Sequence, residues 1–269
     1  MRSINVRLGA LVPVLLAALA TNALAHDTWL LPARFAVAPG ATVNLDLTSA
    51  MRFPQPESPP QPDRLAATGV RLGGHTRSLD VGSVAGKVLR LSVVLGEAGV
   101  AALWVASRPR TLTLEPKEVE HYLHEIGAPP AVRTRWQSSG QRWRESYAKL
   151  AKTYVRVGTP EGDHSWADPV GQELEMVPGR DPTSLVAGEE LPVTVLKAGK
   201  PLPGLTVATV AGGGRKPVVA TTDADGRVTF KLDRAGPWLL RATLLQESTD
   251  ADVDWHSLFT TLTLSVRPR

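Results

Sequence analysis

The sequence contains six histidines and no cysteine, so any bound metal must be held by nitrogen and oxygen donors. Thiolate, disulfide and iron–sulfur chemistry are excluded. The histidine with the most distinctive setting is His26, which follows Ala23-Leu24-Ala25. Cleavage after Ala25 makes His26 the first residue of the mature chain. It then owns two donors, the free α-amine and the imidazole Nδ1, which close one chelate ring on a metal. A terminal amine titrates near about 7.7–8.0, so a metal displaces its proton near neutral pH at modest cost. A second histidine completes a T-shaped three-nitrogen set, a histidine brace, and such donors favour copper(II) or nickel(II). The bland alternative is chance, because export cleavage sites accept many residues after the final alanine.

Five further histidines are available as partners. His256 is the preferred one, since it follows Asp252, Asp254 and Trp255 just before the final strand. His121 and His124 are three apart on an expected helix, which puts both rings on one face and lets them clamp a metal alone, although a solvated helix face fits them equally. His164 lies in the polar loop Asp163-His164-Ser165-Trp166-Ala167-Asp168, and His75 follows Gly73-Gly74 at an expected hairpin tip. Both positions also suit ordinary surface chemistry. Trp29 and Trp255 each lie beside a candidate ligand. No Gly-x-Ser-x-Gly elbow, His-Glu-x-x-His or phosphate-binding glycine loop occurs, so hydrolase and nucleotide chemistry have no support, and no catalytic residue is assigned.

The elements that must position these residues are mostly strands. Arg2 and Arg7 precede an apolar run that ends at Ala25, the pattern of a cleavable export signal over residues 1–25. The run is broken by Gly9 and Pro13 and is too short to persist as a membrane span. The expected product is periplasmic, with no membrane span after cleavage. Losing the leader leaves 28 basic against 26 acidic residues, a formal charge of +2 in place of +4. With basic residues scattered along the chain, nucleic acid is not an expected partner.

Short alternating apolar segments at residues 35–37, 42–47, 88–95 and 101–106, separated by glycine and proline turns, predict a first β-sandwich over residues 26–110. The proline-rich stretch from Pro54 to Pro60 reads as a stiff exposed loop. The periodicity turns helical across a connecting region, residues 111–171, with one helix beginning at Pro116 and a second expected over residues 142–154. Strands return over residues 172–269 at a spacing that suits an immunoglobulin-like or prealbumin-like sandwich. Asp223 and Asp225 lie in a turn that lacks the later glutamate of a calcium loop, so a hairpin is expected there. The expected fold is therefore mainly β, with two β-sandwich domains joined by a short helical segment.

The motif His26-Asp27-Thr28-Trp29-Leu30-Leu31-Pro32, directly after the leader, resembles the start of a bacterial domain-of-unknown-function family, family 4198, associated with nickel and cobalt uptake. Ser107-Arg108-Pro109, Tyr122-Leu123 and Glu145-Ser146-Tyr147-Ala148-Lys149 resemble its middle region. Thr222-Asp223-Ala224-Asp225-Gly226 and Asp254-Trp255-His256-Ser257 resemble its carboxyl half. The resemblance implies a periplasmic protein linked to transition-metal import, with its N-terminal histidine at His26, and not an enzyme of established reaction. The expectation is thus a nickel, cobalt or copper binding protein that presents or buffers the ion for a metal-uptake membrane complex or an outer-membrane receptor. A metal-free envelope interaction module and a brace-type copper oxidoreductase are the alternatives.

Overall fold

The computed structural model describes residues 26–214 and 216–269, so the expected leader, residues 1–25, lies outside the described residues. The chain is mainly β. The first half forms β1 (Asp27–Pro32), β2 (Ala36–Val37), β3 (Ala41–Ala50), β4 (Leu65–Leu72), β5 (His75–Arg77), β6 (Asp80–Ala85), β7 (Val88–Leu95), β8 (Gly99–Ser107) and β9 (Arg110–Thr113). Helices α1 (Pro116–Glu125) and α2 (Pro130–Ser138) follow. The remainder comprises β10 (Arg144–Val157), β11 (Leu174–Pro178), β12 (Glu189–Lys197), β13 (Lys200–Pro201), β14 (Thr206–Ala211), β15 (Val218–Thr221), β16 (Arg227–Leu232), β17 (Gly236–Glu247) and β18 (Trp255–Val266).

These strands form three sheets. One has the order β1-β3-β7-β6, another joins β11, β12, β13 and β16, and between them runs a ten-stranded sheet in which eight strands follow the order β15-β14-β17-β18-β10-β8-β4-β5 and β2 and β9 each pair with β10. The middle sheet draws strands from both halves of the sequence. Its two faces carry separate cores, which follows from the alternation of side chains along a strand. Leu150 and Tyr154 of β10 pack with Leu174, Val193 and Trp238, whereas Ala151, Val155 and Val157 pack with Leu30, Leu45 and Leu91.

The second helix expected over residues 142–154 is instead the strand β10. A strand covered on both faces loses the polar half of its alternation, and β10, covered along most of its length, no longer displays the period of two in its sequence. The second helix lies earlier, at Pro130–Ser138. The first follows expectation. Pro116 opens α1, Glu118 returns its carboxylate to the Glu115 N–H at 2.9 Å, and Val119, Tyr122 and Leu123 face inward. They meet Trp143, just before β10, and Tyr147, Trp255 and Phe259 of the middle sheet. Trp143 and Trp255 stack with centroids 4.8 Å apart, and the Tyr122 edge meets Trp143 at 5.8 Å.

Beneath this aromatic layer lies Glu145, a buried carboxylate that accepts from Tyr122 Oη at 3.0 Å, from Trp143 Nε1 at 2.7 Å and from the Ser257 hydroxyl. Burial pushes its pKa up, and those three donors pull it partway back. β15 pairs with β14 in the ten-stranded sheet and β16 pairs with β12 in another, so the turn between them is tight but the expected hairpin is not formed at Asp223. Asp223 Oδ1 accepts the N–H groups of Asp225 and Arg227 at 2.9 and 2.8 Å, and Gly226 adopts a φ of 71° against backbone that a Cβ would strike.

Candidate functional site

The first described residues are held against the middle sheet by side chains. β1 pairs with β3 along one edge. Its other edge would leave carbonyls without partners, and threonines of β18 supply them: Thr261 Oγ1 donates to Thr28 O at 2.6 Å and Thr263 Oγ1 to Leu30 O at 2.5 Å. Both pairs are 233 residues apart, so β1 runs in step with β18. The same step carried back places His26 level with Phe259, which lies opposite Lys149 in the β10–β18 ladder. Lys149 Nζ donates to the His26 carbonyl at 2.7 Å.

Each following residue is fixed differently. Asp27 Oδ2 meets Arg241 Nη1 at 2.7 Å, Thr28 Oγ1 shares a hydrogen bond with Ser49 Oγ at 2.6 Å, and Trp29 packs edge-on to Phe53 at 5.3 Å. Burial raises the Asp27 pKa, while Arg241 draws it back down. Burial also lowers the Lys149 ammonium to about 8, with Asp27 and Glu145 acting against that shift. The ammonium sits 5.9 Å from the Tyr147 ring centre and 5.5 Å from that of Phe259.

The side chain of His26 remains partly open at 19% exposure, and its Nε2 lies 3.9 Å from Glu57 Oε2. It lines a cavity of about 250 Å³ together with Arg64, Ser107, Arg110, Tyr147 and Lys149. Asp27 opens instead on a second cavity of about 430 Å³, shared with His124, Glu125, Lys216, Arg241 and Phe259. The first two residues of the described chain therefore address different cavities.

The other histidines do not gather at His26. His256 Nε2 bonds Ser248 Oγ at 2.9 Å. Its neighbours Trp255 and Phe259 face the helical layer, and Ser257 reaches Glu145 on that same face, so alternation turns His256 to the opposite side. His121 is exposed and lies 3.3 Å from Glu125 Oε1, and His124 lines the Asp27 cavity. His164 packs edge-on to Trp166 at 6.3 Å, beside Asp163, which accepts from Val100 N at 2.7 Å. His75 is exposed on β5. Among the described residues no group of three or more histidine, aspartate or glutamate side chains is disposed to hold a metal ion. Sequence reasoning did not single out Lys149, Arg241 or Glu57. The signal for Lys149 and Glu145 is a pair of charges on the inward face of β10, visible once that segment is read as a strand.

A model of the family described as "Domain of unknown function (DUF4198)" matches residues 23–246. The chain belongs to this family. No curated protein matches this DUF4198 chain. Among solved structures it is similar to a DUF4785 family protein of Legionella pneumophila at 12% identity and a TM-score of 0.26, covering 78% of this chain and 50% of that one. It is also similar to the Yersinia pseudotuberculosis adhesin InvE at 16% identity and a TM-score of 0.21, covering 87% and 58%. The DUF4198 chain thus spans about half the length of these proteins. None of its described helices is long and apolar enough to cross a membrane.

Proposed function

We propose that this DUF4198 protein is exported to the periplasm, is cut before His26, and binds a nickel, cobalt or copper ion through the α-amine and Nδ1 of that residue. The observation that carries this reading is the setting of residue 26. Its carbonyl is held by Lys149 at 2.7 Å while its ring stays open toward a cavity. A chelating residue fixed by its main chain loses little freedom when it closes on an ion.

The donor chemistry fits the ion. Glu57 Oε2 lies 3.9 Å from Nε2, beyond hydrogen-bond distance, so it faces the ring at the nitrogen that the chelate does not use. Residue 26 supplies two nitrogens, and no second histidine lines its cavity among the described residues. A centre with two protein nitrogens keeps coordination positions open, which suits an ion passed to an uptake complex better than one stored. Bound there, the ion would supply Lewis acidity, and the chain's own residues hold and orient the chelating terminus.

The test is calorimetric titration of copper(II) and nickel(II) into protein that begins at His26, beside a variant with one alanine placed ahead of it. Tight one-to-one binding by the native terminus alone is expected. Equal binding by both proteins overturns the role of the amine, and binding by neither leaves an envelope interaction module.

A further inference from the structure

The cavity beside His26 has a composition that a metal site does not require. Arg64, Arg110 and Lys149 all line it, and no aspartate or glutamate does. Glu57 at the His26 ring and Asp27 and Glu145, which act on Lys149, lie outside that lining, so Arg64 and Arg110 carry most of the positive charge that faces the cavity of about 250 Å³.

The cations are placed by the fold. Arg110 of β9 lies opposite Tyr147 of β10, and Lys149 follows two residues later on the same face. Lys149 N donates to Ser107 Oγ at 2.8 Å, which ties that hydroxyl to the same wall. Arg64 is anchored through one nitrogen to Arg108 O at 2.8 Å, and the rest of its guanidinium fork remains for a ligand. Much of the remaining lining is apolar, including Leu47, Leu65, Val105 and Pro59. Bare phosphate or sulfate has no carbon to set against such a surface. A short carbon skeleton with carboxylates at its ends satisfies both parts.

We infer that the cavity beside His26 binds a small organic anion carrying two or more carboxylates, with Arg64, Arg110 and Lys149 holding the carboxylates and the apolar lining holding the carbons. The site requires no metal, so it stands or falls separately from the His26 chelate.

The probe is citrate, titrated calorimetrically into the processed protein after metal has been stripped on a chelating resin. Acetate and inorganic phosphate at matched ionic strength serve as comparison anions. One saturable citrate site per chain is expected, weakened at least tenfold in Arg110→Gln and in Arg64→Gln. It should be unchanged in Arg227→Gln, whose exposed side chain lies in a distant turn. Arg110 is exposed, so its replacement leaves the core intact, and circular dichroism of the variant confirms folding. Absence of saturable citrate binding overturns the inference. So does equal binding by folded Arg110→Gln, or phosphate binding as tight as citrate.

Discussion

The ammonium of Lys149 donates to the carbonyl oxygen of His26 across 123 residues of sequence, at 2.7 Å. A residue in the middle of β10 thereby sets where residue 26 begins. Lys149→Met keeps the stem and removes the donor. Copper(II) or nickel(II) affinity of the processed protein should fall about tenfold, close to 1.4 kcal/mol. The melting temperature should fall by an amount matching the loss of one charged hydrogen bond, about 1.5–3 kcal/mol. Unchanged affinity with lowered stability would show that the contact serves folding alone.

Lys152 and Glu175 form a fully buried pair at 2.7 Å, each side chain 1% exposed. Glu175 also accepts the N–H groups of Val170, Gly171 and Gln172, so the loop before β11 folds around it. Lys152→Met leaves that carboxylate without its cation and should cost about 3–5 kcal/mol in urea unfolding. Replacing Glu175 by leucine in addition should not restore stability, because three backbone donors would then lose their acceptor.

Asp254 receives Arg144 through Nε at 3.2 Å and Nη2 at 3.1 Å, the Arg144 N–H at 3.0 Å, and Arg142. The Arg144 hydrogen bond leads in holding its pKa below the ordinary 3.8. A depressed carboxylate stabilises the fold above the unfolded value, and that contribution disappears as pH falls through the lower, folded value. Asp254→Asn should therefore be less stable than the parent at pH 6 and converge toward it below about pH 4. Thermal melts across that range check the sign. A constant gap at every pH would refute the linkage.

Gly69 lies under the Trp104 ring, and a Cβ at that position would come within 2.1 Å of Cζ2. Gly69→Ala must displace the indole and should destabilise by about 1–3 kcal/mol. Pairing it with Trp104→Leu should recover part of that loss, and a double-mutant cycle in urea measures the coupling.

Much of the architecture was legible because single-sided strands declare their period. β3, with an outward Asn44 and Asp46 between inward Val43, Leu45 and Leu47, is an example. α1 was legible from Pro116 and its apolar stripe. β10 was not, because it is covered on both faces and because Glu145 and Lys149, four residues apart, imitate a helical ion pair. On a strand that spacing also lies on one face, which is why both charges point inward here. The candidacy of residue 26 rests on its neighbours in sequence. Its surroundings could not be read there, since Lys149 donates to it from β10, Glu57 meets its ring from a loop, and Arg110 lines the same cavity from β9. His256 shows the same limit: nearness to the final strand was readable, whereas the face it takes depends on register.

The parallel ladder between β10 and β18 has a consequence for how the molecule assembles. β18 lies between β10 and β17, so the middle sheet is missing an interior strand until residues 255–266 take their place. A chain delivered from its N-terminus holds two incomplete layers with no shared seam until that late segment arrives. Pairing residues more than 100 positions apart is entropically slow, and the seam between β10 and β17 stays open until that segment arrives. Closure of the sheet and seating of residues 28 and 30 on Thr261 and Thr263 then become a single terminal event, which joins the two ends of the described chain in one step.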